Sequence, residues 1–381
     1  MKSQIVIAPD KFKGSLTAWE AADAIAQGLQ SAGLDEDRVD LLRLPIADGG
    51  EGTSEVVLHA LGGEWIKCSV QDALGRIVEA GYAMVQQDGT RVAVLEMSLA
   101  AGLWRLGKDE LGRRNASTRG VGEMILHAVS QGAERILLGL GGSATNDGGS
   151  GMAAALGIRF LDEAGKEVMD VPAELQRVAA IDFGARFPIP EVVALCDVTN
   201  PLLGPLGCSR VFGPQKGIRP EEMAERESGL AQLAKIVERS LGVDFAEHPG
   251  AGAAGGLGFG CLAFADARIE GGFSMIAKLL GLEEKIRASR LVVTGEGSLD
   301  LQTLNGKGPH GVARLAKQCG RPVLAFCGVS DGRETLKQEF DEIRVLKRPD
   351  LTLEDCVLRA QELLEAEASG AAEWVIRKIE G

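Results

Sequence analysis

Aromatic residues are scarce in this sequence: Phe, Trp and Tyr together make up 4% of its 381 residues, and tyrosine occurs once. A chain so built lacks the stacking platforms with which proteins hold nucleic-acid bases. Positive charge is also in deficit. The formal net charge is −13, which argues against a binder of phosphate backbones, although a small anion can still find a locally positive site. Seven cysteines are scattered without a C-x-x-C pair, and the four histidines lie far apart. That pattern disfavours a disulfide scaffold or a zinc site and suits a reducing compartment. No apolar run approaches the ~18 residues that span a bilayer. The opening "MKSQIVIAPD" enters a strand at once without a signal-peptide core, so the expectation is a cytoplasmic protein with no membrane or nucleic-acid partner. No G-x-x-x-x-G-K-[ST] occurs, which removes the P-loop.

What is abundant is glycine, at 51 residues, in a chain otherwise ordinary at 45% apolar and 25% charged. Short apolar runs alternate with amphipathic windows at both ends. Ile5-Val6-Ile7 predicts a strand, and 17–31 a helix with Thr17 and Glu20 as a capping box. The rhythm continues through 39–46 and 52–63 and resumes at 290–295, 309–320, 322–329, 342–348 and a helix over 352–378. Such alternation predicts a parallel sheet with helices on both faces. The middle differs: 64–97 reads as a β-meander with Asp88-Gly89 at a hairpin turn. Helices are expected near 119–131 and 220–241, and strands at 177–181 and 192–198. The expected organisation is an α/β domain made from residues 1–65 plus 286–381, with a second α/β (α+β) domain, 66–285, inserted.

The densest glycine stretch, "GLGGSATNDGGSGM" (139–152), follows the apolar run Ile136-Leu137-Leu138. A turn needs one or two glycines, not six, so the stretch predicts close approach of a charged ligand to the backbone, helped by free N–H groups where the next helix starts. A dinucleotide fingerprint is a poor fit. Gly139-x-Gly141-x-x-Ala144 follows a strand, but "TNDGGSG" intervenes and leaves only about two turns of helix. The match at Gly250, Gly252 and Gly255 follows "EHP" rather than a strand.

Acids stand at four strand ends: Asp48 and Glu51 in "PIADGGEGT", Asp197 beside Asn200 in "ALCDVTNPL", Glu296 and Asp300 in "TGEGSLD", and Asp147 in the glycine stretch. One such acid is often only a helix cap; four beside glycine or asparagine suit Mg²⁺ ligation or a general base. Lys11 and Lys13 follow the first strand, Lys216 lies in "FGPQKG", and Lys307 precedes a helix. Without a helix face to decorate, these lysines suit anion contact.

In order along the chain, "IAPDKFKGSLTA", "PIADGGEGT", "GGSATNDGGSGM", "CDVTNPLLG", "FGPQKG", "PGAGAAGGLG", "VVTGEGSLD" and "NGKGPHGVA" resemble the type I glycerate kinase family from about residue 4 to beyond 330. Lys11 stands where members often have Ser, and "SLDLQT" where "RIDSQ" is common. The resemblance implies a flavodoxin-like (Rossmann-like) parallel-sheet domain with the inserted second domain and an active site in the cleft. It also implies ATP- and Mg²⁺-dependent phosphorylation of D-glycerate, usually to 2-phosphoglycerate, with 3-phosphoglycerate as the alternative product. It leaves a homodimer open. On this reading Asp197, Asp147, Lys216 and Lys13 are catalytic, with Asp147 or Asp197 as the base. Asp10, Asp48, Gly49, Gly50, Glu51, Gly141, Gly142, Ser143, Asn146, Asn200, Gly255, Gly256 and Lys307 bind substrate or ATP, and Glu296 and Asp300 bind metal. A NAD(P)-dependent oxidoreductase of a small hydroxy acid is the alternative of another class, and a non-catalytic carboxylate-binding protein a third.

Overall fold

The computed structural model describes residues 2–34, 37–300, 308–332 and 334–380. Their strands, in chain order, are β1 (Ser3–Ile7), β2 (Val39–Arg43), β3 (Glu64–Gln71), β4 (Ile77–Gln87), β5 (Thr90–Glu96), β6 (Arg135–Gly139), β7 (Arg159–Leu161), β8 (Ala180–Asp182), β9 (Glu191–Leu195), β10 (Arg268–Glu270), β11 (Leu291–Leu299), β12 (Val323–Ser330) and β13 (Glu342–Val345). The chain divides into two compact units, one of Met1–Asp48 with Phe273–Gly381 and the other of Gly49–Gly272.

In the first unit β1, β2, β11, β12 and β13 form one sheet in the order β13-β12-β11-β1-β2, every pair parallel. Counted within the unit this is the 2-1-3-4-5 order of flavodoxin-like folds, whose topological switch point lies between β1 and β11. The apolar runs that predict these strands are buried throughout: Ile5, Val6, Ile7, Leu291, Val292 and Val293 are all sealed from solvent, as strands covered on both faces must be. Helix Ala18–Ser31 begins at the Thr17–Glu20 capping box that the sequence predicts. It packs against helix Ala360–Glu380. A Cβ at Gly28 would come 2.3 Å from the Glu365 carbonyl oxygen, so a small residue is required at this crossing.

The second unit has a six-stranded mixed sheet, β10-β9-β6-β5-β4-β3. The β3-β4-β5 meander is antiparallel, whereas β5, β6, β9 and β10 run parallel. The Asp88-Gly89 turn has φ of 50° and 81°, positive at both positions as a two-residue hairpin requires. β7 and β8 make a separate two-stranded ribbon.

Several boundaries depart from expectation. Residues 49–65 group with the central unit, because helix Thr53–Leu61 packs on β4 and β5. Residues 273–285 group with the terminal unit, where Phe273 fills the space beside Gly311. The helix expected over 352–378 breaks at Arg359 into Leu353–Leu358 and Ala360–Glu380. Among the described residues no helix is long and apolar enough to cross a membrane.

Candidate active site

In the second unit the glycine stretch leaves the end of β6, flanked by the ends of β5 and β9. Its first glycines are demanded by backbone contact with the preceding loop. A Cβ at Gly139 would lie 2.3 Å from the Gly49 carbonyl oxygen, and one at Gly141 2.6 Å from Gly50 Cα. The later glycines are demanded by conformation: Gly142, Gly148 and Gly149 have φ of 76°, 62° and 75°, where a side chain is strained.

Asp147 is fully buried at the centre of this loop. Its carboxylate accepts hydrogen bonds from the Thr118 amide and hydroxyl, both 2.8 Å, and from the amides of Gly149 (3.1 Å) and Gly151 (3.2 Å). Burial raises its pKa, and the hydrogen bonds oppose that rise. The amide of Met152 donates to the Thr118 hydroxyl at 2.9 Å. These contacts correct two expectations. Asp147 is enclosed by loop and helix donors, which leaves it poorly placed to take a proton from a substrate hydroxyl. The start of helix Ser150–Ala155 is also not an open anion site, since Asp147 and Thr118 fill its amides.

Lys216 ends a single 3₁₀ turn, Pro214–Lys216, that proline starts and the left-handed Gly217 (φ 82°) stops. Its side chain runs inward to the glycine loop, with only 3% of the residue exposed. Nζ donates to Ser143 Oγ at 2.6 Å and to the Thr145 carbonyl at 2.7 Å. Burial lowers its pKa from 10.5 to about 8, opposed by the nearby Cys208 and Asp147. Asn146 is held from the same side: it accepts from Ser209 Oγ at 3.1 Å and donates to Cys208 Sγ at 3.6 Å.

The second glycine motif backs the first. Ala254, Gly255 and Gly256 form a left-handed turn, with φ of 53°, 68° and 88°. The Gly148 amide donates to the Gly255 carbonyl at 3.1 Å. A Cβ on Gly255 would come 1.9 Å from the Thr145 carbonyl oxygen, and one on Gly256 2.8 Å from Gly148 Cα. Gly255 and Gly256 are therefore the wall on which the 145–149 loop rests, a packing role where phosphate contact was expected.

At the end of β9, Asp197 is half-buried. Asn200 is tied into its own loop, donating through Nδ2 to the Leu206 carbonyl at 2.8 Å. The Gly252 amide donates to the Asn200 carbonyl at 2.9 Å, so the β9 loop and the second glycine motif are joined. On the other flank, Glu96 at the end of β5 is buried and accepts from the amides of Gly52 (2.9 Å) and Ser54 (2.7 Å). A Cβ at Gly142 would come 2.7 Å from Glu51 Oε1, which places the Glu51 carboxylate over the glycine loop.

In the first unit the acids collect at the switch point. Asp10 follows β1 and accepts the Lys11 amide at 2.7 Å. Burial raises its pKa from 3.8 to about 7; the charges of Asp48 and Glu296 push the same way, while Lys11 opposes. Lys13 is exposed, and its backbone runs beside Gly297 on β11. Ser298 donates to Asp300 Oδ2 at 3.3 Å. Among the described residues no group of three or more His, Cys, Asp or Glu is arranged to hold a metal ion. Lys307 lies outside the described residues.

Comparison with known proteins gives this geometry a context. The model of the glycerate kinase family matches residues 5–376. A glycerate kinase of Halalkalibacterium halodurans is 40% identical over 373 residues, 97% of each chain. Glycerate 2-kinase of Escherichia coli K12 is 41% identical over 328 residues, 85% of each chain. The chain belongs to the glycerate kinase family.

A crystal structure from Salmonella typhimurium LT2, described as a glycerate kinase 2, superposes on this family member with a TM-score of 0.86 at 37% identity, with both chains covered in full. The protein is thus an enzyme and a kinase, and ATP is the phosphate donor that the family implies. These relatives lend no support to the hydride-transfer alternative. Sequence reasoning missed Glu96 and Thr118. Glu96 carries the same signal as the other acids, an acid ending an apolar strand. Thr118 carries none, because only the fold brings it to Asp147.

Proposed function

We propose that this kinase transfers the γ-phosphoryl group of ATP, presented as its Mg²⁺ complex, to the 2-hydroxyl of D-glycerate, giving 2-phosphoglycerate and ADP. The observation that carries the reading is the buried ammonium of Lys216 fixed to Ser143 and Thr145 of a glycine-rich loop. Phosphoryl transfer needs positioned positive charge and backbone donors more than covalent chemistry. A lysine buried at this loop is a preorganised charge of that kind. On this reading Gly141, Gly142, Ser143 and Asn146 line the phosphate site, with Lys216 behind them.

Asp147 serves this loop as its internal brace, which leaves Asp197 as the general base. Its carboxylate would accept the hydroxyl proton of glycerate as the oxygen attacks the γ-phosphorus and ADP leaves. Asn200 holds the β9 loop that carries Asp197. Glu51, Gly49 and Gly50 belong to the glycerate side of the site. Mg²⁺ keeps several waters and takes one or two carboxylates beside the phosphates. The bound ion would neutralise charge on the transferring phosphates. Preference for the 2-hydroxyl is supported by the relative named glycerate 2-kinase, at 41% identity over 85% of both chains.

The test is an ADP-release assay on protein with ATP, Mg²⁺ and D-glycerate, followed by NMR of the product. Release of ADP with phosphorus coupled to the C2 proton is the expected result. Coupling to the C3 protons would reassign the hydroxyl, and no glycerate-dependent ADP would refute the reading.

A further inference from the structure

Helix Thr53–Leu61 has no local cap. Gly52, at its N-cap, has φ of 90° and no side chain to offer. The nearby hydroxyls are engaged with backbone carbonyls, Thr53 Oγ1 with Gly50 at 2.7 Å and Ser54 Oγ with Val94 at 2.9 Å. The amides are satisfied from another strand. Glu96, 3% exposed, sends Oε2 to the Gly52 amide and Oε1 to that of Ser54. It stands in register with Gly139 on β6, where the glycine stretch begins.

We propose that Glu96 is a positioning residue: an internal anion that occupies this helix start, fixes the Gly49–Gly52 loop and thereby sets Glu51 over Gly142. A helix N-terminus attracts an anion because its amides are unpaired and its dipole is positive there. Both demands are met here by a carboxylate of the chain itself. A motif of two glycines before a helix, which by composition invites a phosphate, is therefore closed to substrate anions. The side chain the loop contributes is the Glu51 carboxylate, an acceptor suited to hydroxyl groups. The inference deepens the proposed function, on which it rests, by giving this loop the hydroxyls of glycerate and not its carboxylate or the phosphates.

Glu96→Gln keeps one acceptor and turns an NH₂ group toward an amide N–H that also donates. The expected result is a rise of about tenfold in KM for glycerate, as loss of one charge-assisted hydrogen bond implies. KM for ATP should change little, the melting temperature should fall as one buried amide loses its acceptor, and amide exchange in the segment 50–56 should quicken. Glu96→Asp, which keeps the charge but shortens the reach, should show a smaller rise in KM. Unchanged glycerate KM together with unchanged exchange at 50–56 would overturn the proposal, as would equal damage to both substrates. Should Glu96→Gln not fold, the aspartate variant carries the same comparison. Amide exchange needs no turnover. A wild-type protein inert toward glycerate would therefore sink the functional reading while leaving the role of Glu96 to be decided by exchange.

Discussion

The Nζ of Lys216 lies 2.6 Å from Ser143 Oγ, a buried cation hydrogen-bonded to the glycine loop from behind. The arrangement joins two motifs 73 residues apart and, under the proposed function, makes one side chain both a structural pin and a source of charge for phosphate.

Replacing Lys216 by Met separates those two roles. Loss of a preorganised donor should lower kcat/KM for ATP by about 10²–10³. Ser143 and the Thr145 carbonyl lose a partner, a cost of about 1–3 kcal/mol, but removal of a buried charge offsets much of it. Steady-state kinetics beside thermal melting should therefore show a large kinetic defect with little change in stability. A melting temperature that collapses with activity would make Lys216 a packing residue only.

The pH dependence of Lys216 has opposite signs for activity and stability. Its pKa is lowered from 10.5 to about 8, so between these values the unfolded chain binds more protons than the folded one. Linkage then makes stability rise with pH across that window. The charge needed for phosphate disappears across the same window, so kcat/KM for ATP should fall above pH 8. Both trends should be missing from Lys216→Met, as urea unfolding and pH–rate profiles will show.

For Asp10 the sign is reversed. Its pKa is raised from 3.8 to about 7, so the folded protein holds the extra proton between those values. Stability from this group falls as pH rises from about 4 to 7, by no more than about 4 kcal/mol. Asp10→Asn should remove that fall, leaving the variant more stable than wild type at pH 8 and equal to it near pH 3.5. Chemical denaturation at the two pH values measures the difference.

The two acids first considered as base should respond differently to amide substitution. Asp197→Asn should lower turnover by about 10²–10⁴ with glycerate binding and melting temperature retained. Asp147→Asn places an amide among donors that all point at a carboxylate. It should cost about 1–3 kcal/mol of stability, visible as a lower melting temperature and faster amide exchange through 146–152. Full turnover in Asp197→Asn would remove it as the base.

Glycines that look alike in sequence should differ sharply in tolerance. Gly255→Ala drives a Cβ to 1.9 Å from a backbone oxygen at a φ of 68°, and should cost about 3 kcal/mol or more. Gly281→Ala, at φ 60° with no atom within 4 Å, should cost about 1 kcal/mol. Denaturation midpoints of the two variants provide the comparison.

By itself the sequence determined what depends on neighbours along the chain. The buried runs around Ile5, Leu137 and Val292, the Thr17–Glu20 box and the Asp88-Gly89 turn are set by local hydropathy and backbone preference, and each is found where the spacing predicts it. The glycine motifs were equally legible as places of close approach. What approaches them was decided only by tertiary structure. Glycine records that space is short without recording what fills it, so a wall such as Gly255 and a loop facing a ligand read alike. Carboxylates share that ambiguity: Asp147, Glu96 and Asp197 all end or follow a strand. Burial and the donors brought from Thr118, Gly52 and Ser54 made braces of the first two, because hydrogen-bond partners distant in sequence exist only once the chain has folded.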